Sequence, residues 1–372
     1  MTSAEPPIDD LSGALLDAFP ELEVVRATAE EPVYLVGGAI RDLLLGRPRA
    51  DADLVVVGDA AALAVWLGGL EAESARFGTA RVRLRGHDVD LATARTESYP
   101  HPGALPEVRP TDSIEADLGR RDFTVNAMAV RLDRDEGLLD PLGGLADLRA
   151  GRLRVLHDES FRDDPTRAVR AARYASRLGF VPEALTESLL READLGTVSA
   201  ERREAELRRL AGEPGAPRGF ELLVEWGVLA VPSEGIELAR AVVALLAVTP
   251  WEGFAPRDDA VLAAIGGSHG RQAALAAARP ARPSEAVALA GAADPVTLVL
   301  ARALGAEWLD RYVSELRHVA LEIGGEDLIA AGVPSGPAVG RGLAAALRAK
   351  LDGEAPDAEA ELATALATAR EG

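Results

Sequence analysis

Between Val33 and Val57 the chain reads VYLVGGAIRDLLLGRPRADADLVVV, and this stretch leaves few folds open. Val33-Tyr34-Leu35-Val36 is a short apolar, largely β-branched run of the kind that forms a buried strand. Gly37-Gly38 ends it. From Ala39 to Leu45 apolar residues recur at helical spacing, and Gly46 is a stop signal. Leu54 to Val57 reads as a second strand. A strand, a Gly-Gly turn and a helix start place backbone N–H groups where an anion can approach closely. Arg41, one turn into the helix, can reach back toward the same place.

Asp51 and Asp53 stand at the head of the second strand. Residues two apart on a strand share a face, so two carboxylates are presented together. Like charges held that close repel unless a cation neutralises them. The hard, oxygen-preferring cation suited to that place beside a phosphate is Mg²⁺. Most Gly-Gly pairs are only turns, and most Asp-x-Asp triplets are solvated loops. Both in order, bracketed by two strands, point to metal-assisted phosphoryl or nucleotidyl transfer.

The run GGAIRDLLLG…DADLVVVG resembles the first motif of the class II tRNA nucleotidyltransferases and bacterial poly(A) polymerases, within the polymerase β-type superfamily. RRDFTVNA, from Arg120 to Ala127, matches that family's second motif, RRDxxxNA, in full. DDPTRAVRAARY, from Asp163 to Tyr174, follows its [ED]DxxRxxRxxRF pattern, with Asp163 where Glu is commoner and Tyr174 in place of Phe. The resemblance implies an α+β, polymerase β-like nucleotidyltransferase head followed by an all-α neck, body and tail. It implies that Arg121 contacts a triphosphate or ribose, with Asp122 and Asn126 near the sugar. This fold type often carries a third carboxylate on a neighbouring strand. Asp90, in HDVDLATART, is the candidate, with Asp88 on the same face and a solvated strand residue as the alternative.

The segment around 163–174 can also be read from its own chemistry. Asp163 or Asp164 caps a helix and Pro165 sits in its first turn. Asp164, Arg167, Arg170 and Arg173 then recur every three residues and share one broad face. A solvated face would mix Lys, Glu and Arg; three Arg and an Asp separated mostly by Ala suit a donor and acceptor pair that reads a base edge. Arg donates to cytosine O2/N3 or adenine N1, and Asp accepts from the exocyclic amine that both CTP and ATP carry. The family pattern agrees, making Asp164 and Arg167 the base-reading pair, with Arg170 and Arg173 supporting it and contacting phosphate.

The rest of the chain is read around this centre. Its 372 residues are enough for about two or three domains. Residues 1–30 read as a lead-in helix, 31–148 as the catalytic head, 149–215 as a helical neck and 216–372 as an all-helical body and tail. Asp59–Leu70 reads as a helix, and Arg81–Leu84 and Val89–Ala94 as strands joined at Gly86-His87. Arg95–Asp117 reads as a loop whose Pro and Gly exclude regular structure through most of it; by resemblance it is a flexible loop that helps select the last nucleotide, with His101 a loop residue rather than a base. Arg120–Leu132 reads as a strand. Asp140-Pro-Leu-Gly-Gly-Leu-Ala-Asp-Leu resembles a structural turn of the family. Glu201–Leu210 is a helix laced with Glu–Arg pairs.

With no cysteine there is neither a disulfide framework nor a Cys-based zinc site. The first 20 residues lack a basic n-region, and no long uncharged apolar run suggests a membrane span, so a cytoplasmic protein without a membrane partner is expected. The net charge of −20 argues at face value against a nucleic-acid binder. Its distribution softens that. From Arg149 to Arg209 there are 13 Arg against 11 Asp plus Glu, a net of +2, leaving −20 − 2 = −22 for the remainder. An Arg-rich middle suits one local polyanion site. The tail gripping a tRNA elbow rests on the resemblance alone. His269 and His318 stand alone, without the His-Asp pair of a phosphohydrolase, so an added hydrolase domain is not expected.

The expected activity is transfer of CMP and/or AMP from CTP and ATP to a tRNA 3′ end by a two-metal mechanism. Full CCA addition, CC addition, A addition and poly(A) synthesis all fit. A non-catalytic RNA-binding protein and a small-molecule nucleotidyltransferase are alternatives from other classes. The intact Asp51 and Asp53 oppose the first, and the second and third motifs oppose the other.

Overall fold

The computed structural model describes residues 11–47, 51–68 and 78–370. The lead-in residues 1–10 and the end of the expected 59–70 helix lie outside the described residues. The chain forms two compact units, one comprising residues up to Leu207 with Arg218–Ala230, the other Arg208–Pro217 with Val231–Gly372.

The first unit opens with two helices, α1 (Leu11–Ala18) and α2 (Leu22–Thr28). The single lead-in helix expected here is broken at Phe19-Pro20, where proline lacks the N–H a continuing helix needs. Then come β1 (Val33–Val36), α3 (Gly38–Leu44), β2 (Ala52–Val56), α4 (Ala60–Trp66), β3 (Thr79–Leu84) and β4 (His87–Thr93). The β3–β4 turn sits at Arg85-Gly86, one residue earlier than expected, with both residues at positive φ. Asp59 caps α4 through the amides of Ala61 and Ala62.

Two segments differ from the sequence reading. Arg95–Asp117 is not a featureless loop: β5 (Arg95–Ser98) and β6 (Glu107–Pro110) pair as an antiparallel ribbon, and α5 (Ile114–Gly119) follows, capped by Ser113. β6 is exposed throughout, so the ribbon has no apolar face and no alternation that a sequence can display. Its prolines sit in the connection or at the strand end. Arg120–Leu132 is not a continuous strand either. Phe123 makes an isolated bridge to Val155, Thr124–Asn126 is a 3₁₀ turn, and only β7 (Ala129–Arg131) is regular. Residues 122–130 are all buried, so apolar alternation carries no face information there. The side chain of Asp122 accepts from Phe123 N (2.8 Å), which starts a turn.

The remainder of this unit is β8 (Leu138–Leu139), α6 (Gly144–Arg149), β9 (Arg152–Leu153), α7 (Ser160–Asp163), α8 (Thr166–Leu178), β10 (Val181–Pro182) and α9 (Ala184–Leu190). Helices α10 (Ala200–Ala211) and α11 (Ala216–Glu225) run through the sequence boundary between the units. The expected head and most of the expected neck therefore fall in the first unit. Its main sheet has the order β3-β4-β2-β1-β7-β8, with β2 and β4 parallel and every other pair antiparallel. Tyr34, Val36, Val55 and Ala129 pack one sheet face against Ile114, Leu118 and Ala127. The DPLGGLADL turn is structural. Asp140 caps α6 through Gly144 N (2.6 Å) and Leu145 N (3.0 Å), and a Cβ on Gly144 would lie 2.2 Å from the Thr124 carbonyl oxygen.

The second unit holds helices α12 (Ser233–Leu245) through α20 (Ala358–Arg370) and no strand among the described residues. Within it α19 (Pro337–Leu351) and α20 approach so closely that a Cβ on Gly342 would lie 2.7 Å from the Ala365 carbonyl oxygen. Lys350, the one lysine of the chain, is paired here with the buried Glu361. No single helix among the described residues is long and apolar enough to cross a membrane.

Candidate active site

The parallel pairing of β2 with β4 sets Asp53 directly opposite Asp90. In-register residues of neighbouring strands point to the same face, and Asp51 lies two residues before Asp53 on that face. Asp53 and Asp90 thus stand on neighbouring strands, with Asp51 just before the first of them. Burial pushes the Asp53 carboxyl above its ordinary value, and repulsion from Asp90 and Asp51 adds to the rise against the opposing pull of Arg121 and Arg81. Asp53, Arg81, Asp90, Arg120 and Arg121 line a cleft of about 620 Å³. Carboxylates and guanidinium groups therefore face one open space.

The donor set is all carboxylate oxygen, which suits a hard divalent cation. The desolvation of Asp53 and its repulsion from Asp90 and Asp51 are of the kind that such a cation relieves. Asp51 and Asp53 fit that role. Among the described residues no group of three acidic or histidine side chains is already gathered for a metal. Asp90 is held elsewhere, in a two-pronged pair with Arg81 (2.6 and 2.8 Å).

The Gly-Gly turn is specific to glycine at its first position. Gly37 has φ of 70°, and a Cβ there would lie 3.0 Å from Arg121 Nη1. Arg121 therefore lies over the turn. It is oriented by Asp117, which accepts from Arg121 Nη2 (2.9 Å) and from Arg120 (2.8 and 3.0 Å). Burial works to raise the Asp117 carboxyl, but Arg121 and Arg120 outweigh it and hold it below the usual range. Asp117 is a supporting residue the sequence reading missed. Its spacing, three and four before the two arginines on a helical turn, was the available signal. Among the described residues, Arg121 Nε and Arg173 Nε are buried donors with no hydrogen-bond acceptor, as are Arg95 Nε and Arg257 Nε.

Several of the other expected site residues form a buried ladder instead of an open surface. Arg41 donates to Asn126 Oδ1 (2.6 Å) and Asp42 Oδ1 (2.8 Å), and lies over the Tyr174 ring at 5.0 Å. Asn126 donates to Asp122 Oδ1 (2.9 Å), and Asp122 accepts from Arg170 Nε (2.8 Å). Arg170 also donates to the Tyr174 hydroxyl (2.9 Å), and Arg177 donates to Asp42 (2.8 Å). These contacts join α3 and the RRDFTVNA segment to α8. Burial opposes the ionisation of Asp122, but Arg170 and Asn126 outweigh it and hold the carboxyl down at about 2. Tyr174, at the position where the family pattern has Phe, adds a hydroxyl to this ladder.

Asp164 and Arg167 are neighbours on the chain, yet their side chains have different partners. Asp164, not Asp163, caps α8: it accepts from Thr166 N (3.1 Å) and Oγ1 (2.6 Å). It is also held by Arg202 Nη2 (3.0 Å). Arg167 is buried and donates to Ser160 Oγ (2.7 Å), the Arg120 carbonyl (2.9 Å) and the Tyr99 hydroxyl (3.5 Å). Burial pushes the Tyr99 phenol up to about 12, so it stays neutral and donates to Glu97 (3.1 Å). Arg202 further grips the ribbon's connection through the Gly103 and Ala104 carbonyls (2.8 and 3.3 Å). His101 lies in that connection, its Nδ1 3.2 Å from the adjacent Pro102 carbonyl. Tyr99 and Arg202 had no sequence signal tying them to α8, because both contacts span long chain separations.

A mixed sheet opening on paired carboxylates, beside a glycine turn covered by arginine, defines a nucleotidyltransferase head. A family model described as the poly(A) polymerase head domain matches residues 33–154. The CC-adding tRNA nucleotidyltransferase of Deinococcus radiodurans is 36% identical over 334 residues, covering 86% of this chain and 84% of that one. The A-adding tRNA nucleotidyltransferase of Geobacter sulfurreducens is 34% identical over 412 residues, covering 93% of this chain and 46% of that one. Most of the curated relatives matched are spanned over about half their length or less. The solved Thermotoga maritima CCA-adding enzyme complexed with tRNA has a TM-score of 0.73 at 29% identity, covering 96% of this chain and 98% of that one. Related solved structures are complexes of a CCA-adding enzyme with ATP and with CTP. The chain belongs to the tRNA nucleotidyltransferase and poly(A) polymerase family.

Proposed function

We propose that this protein transfers CMP and/or AMP from CTP and ATP to the 3′ end of tRNA without a nucleic-acid template. One observation carries the reading: Asp53 faces Asp90 in register, beside Asp51, across a cleft from Arg120 and Arg121. Asp51 and Asp53 are the residues that would hold divalent metal, Mg²⁺ being the hard-oxygen choice, and two such ions supply activation of the RNA 3′-hydroxyl and neutralisation of the leaving pyrophosphate. Arg121 binds and orients the triphosphate; its buried, unpartnered Nε and its position over Gly37 support this. The Gly37-Gly38 turn leaves room for that approach. Arg173, with its own unpartnered Nε, is a second phosphate donor. Asp164 and Arg167 select a base carrying an exocyclic amine, once Arg202 and Tyr99 yield to the nucleotide. Arg41, Asp122, Asn126 and Arg170 brace the nucleotide's surroundings through the buried ladder. In this reading residues 31–148 are the head, 149–215 the neck and 216–372 the body and tail that hold the tRNA.

The experiment is nucleotide incorporation with Mg²⁺ on tRNA ending at the discriminator base, at C or at CC, each offered CTP, ATP or both. Extension of the first to CCA is expected for a complete enzyme. The Deinococcus radiodurans relative is CC-adding and the Geobacter sulfurreducens relative is A-adding, which favours a second reading, a partial enzyme that stops at CC or adds only the final A. Absence of incorporation on every substrate overturns both.

A further inference from the structure

Resting on the reading of Asp51 and Asp53 as metal ligands, we propose that Arg81 is a positioning residue that holds Asp90 away from them until a cation competes the carboxylate free. The two strands that flank β4 set up this competition. On one side Asp90 is opposite Asp53; on the other it is opposite Arg81. The same carboxylate can therefore turn to a carboxylate pair needing a cation or to a guanidinium already at hand. It is turned to the guanidinium, through Arg81 Nε (2.6 Å) and Nη2 (2.8 Å). Arg81 and Asp90 line the cleft together with Asp53.

The lock is reversible on physical grounds. The Arg81 and Asp90 side chains are 65% and 44% exposed, and an exposed ion pair is worth little against a divalent cation. The next pair along the same strands provides an internal reference. Arg83 faces Asp88 with one prong at 3.4 Å, and neither residue lines the cleft. Removal of Arg83 changes the charge by the same amount without freeing Asp90.

The test is Mn²⁺ binding to the full-length protein, followed by electron paramagnetic resonance without nucleotide. Arg81→Gln is expected to tighten binding about three- to tenfold, the scale on which an exposed pair and its repulsion of a nearby cation act. Arg83→Gln is expected to change it less than twofold. Adding Asp90→Asn to Arg81→Gln is expected to remove the gain. If Arg81→Gln binds like wild type, or no better than Arg83→Gln, while Asp53→Asn weakens binding, the role of Arg81 is overturned and the metal reading stands. If Asp53→Asn leaves Mn²⁺ binding unchanged, the metal reading itself fails, and the proposal with it.

Discussion

The carboxylates of the open cleft and the carboxylate of the buried ladder use the same chemistry to opposite ends. Asp122 is 7% exposed and bonded to Phe123 N, Asn126 and Arg170, and its pKa is driven down. Asp53 faces a cleft, stands among other carboxylates, and its pKa is driven up. Both belong to motifs that a sequence reader marks as functional. Satisfaction separates them. A buried group with every lone pair engaged stabilises the fold, whereas a group held against its electrostatic preference is available to a ligand. Strain of that kind is held in place by the stability of the surrounding sheet.

The largest expected effect sharpens the open side of this comparison. Replacing Asp51 and Asp53 together with Ala should lower nucleotide incorporation roughly a thousandfold or more, with unchanged circular dichroism. Near-normal incorporation by that variant would place the chemistry elsewhere. On the buried side, Asp122→Ala should lower folding stability by about 2–3 kcal/mol, because it removes the main counter-charge of the half-buried Arg170 and the acceptor of Asn126. Denaturant unfolding measures this, and a change below about 1 kcal/mol would show the ladder to be ornamental.

A pH titration separates the two carboxylates next. The folded pKa of Asp122 is depressed, so its contribution of about 2 kcal/mol is complete above pH ~4 and is lost as pH falls toward about 2. Unfolding of wild type and Asp122→Asn should therefore converge in acid; parallel curves down to that pH would contradict the assignment. The smallest effect has the opposite sign. The folded pKa of Asp53 is raised, so its ionised form opposes folding at neutral pH, and that opposition fades as pH falls. Asp53→Asn should raise the melting temperature of the metal-free protein by about 1–3 °C in scanning calorimetry. A lower melting temperature would mean that Asp53 is braced like Asp122.

Much of the site was legible because its signals are local. The strand, glycine turn, helix and second strand from Val33 to Val56 each carry their own periodicity or stop residue, and the structure places them there. Asp51 and Asp53 stand two residues apart at the head of β2, a spacing read from the sequence alone. The ribbon at 95–110 and the 3₁₀ turn at 124–126 were not legible. The ribbon's strands carry polar residues at the half-buried positions of β5 and are exposed along β6, and the 3₁₀ turn is buried on every residue, so neither leaves a polar and apolar face to read.

The sequence by itself determined which residue types are available: a pair of aspartates on one strand face, a glycine turn, and arginines recurring every three residues along α8. Those depend on neighbours within a few positions. Only the tertiary structure decided what each group faces. The parallel register of β2 and β4 set Asp90 against Asp53, and the antiparallel register of β3 gave it Arg81 as the competing partner. Packing of α8 on the RRDFTVNA segment turned Arg170 inward to Asp122 while Asp164 met Arg202. Such pairings join residues as far as 135 positions apart, as in Arg177 with Asp42, and their energies depend on burial and direction, which arise only when the strands and helices have packed.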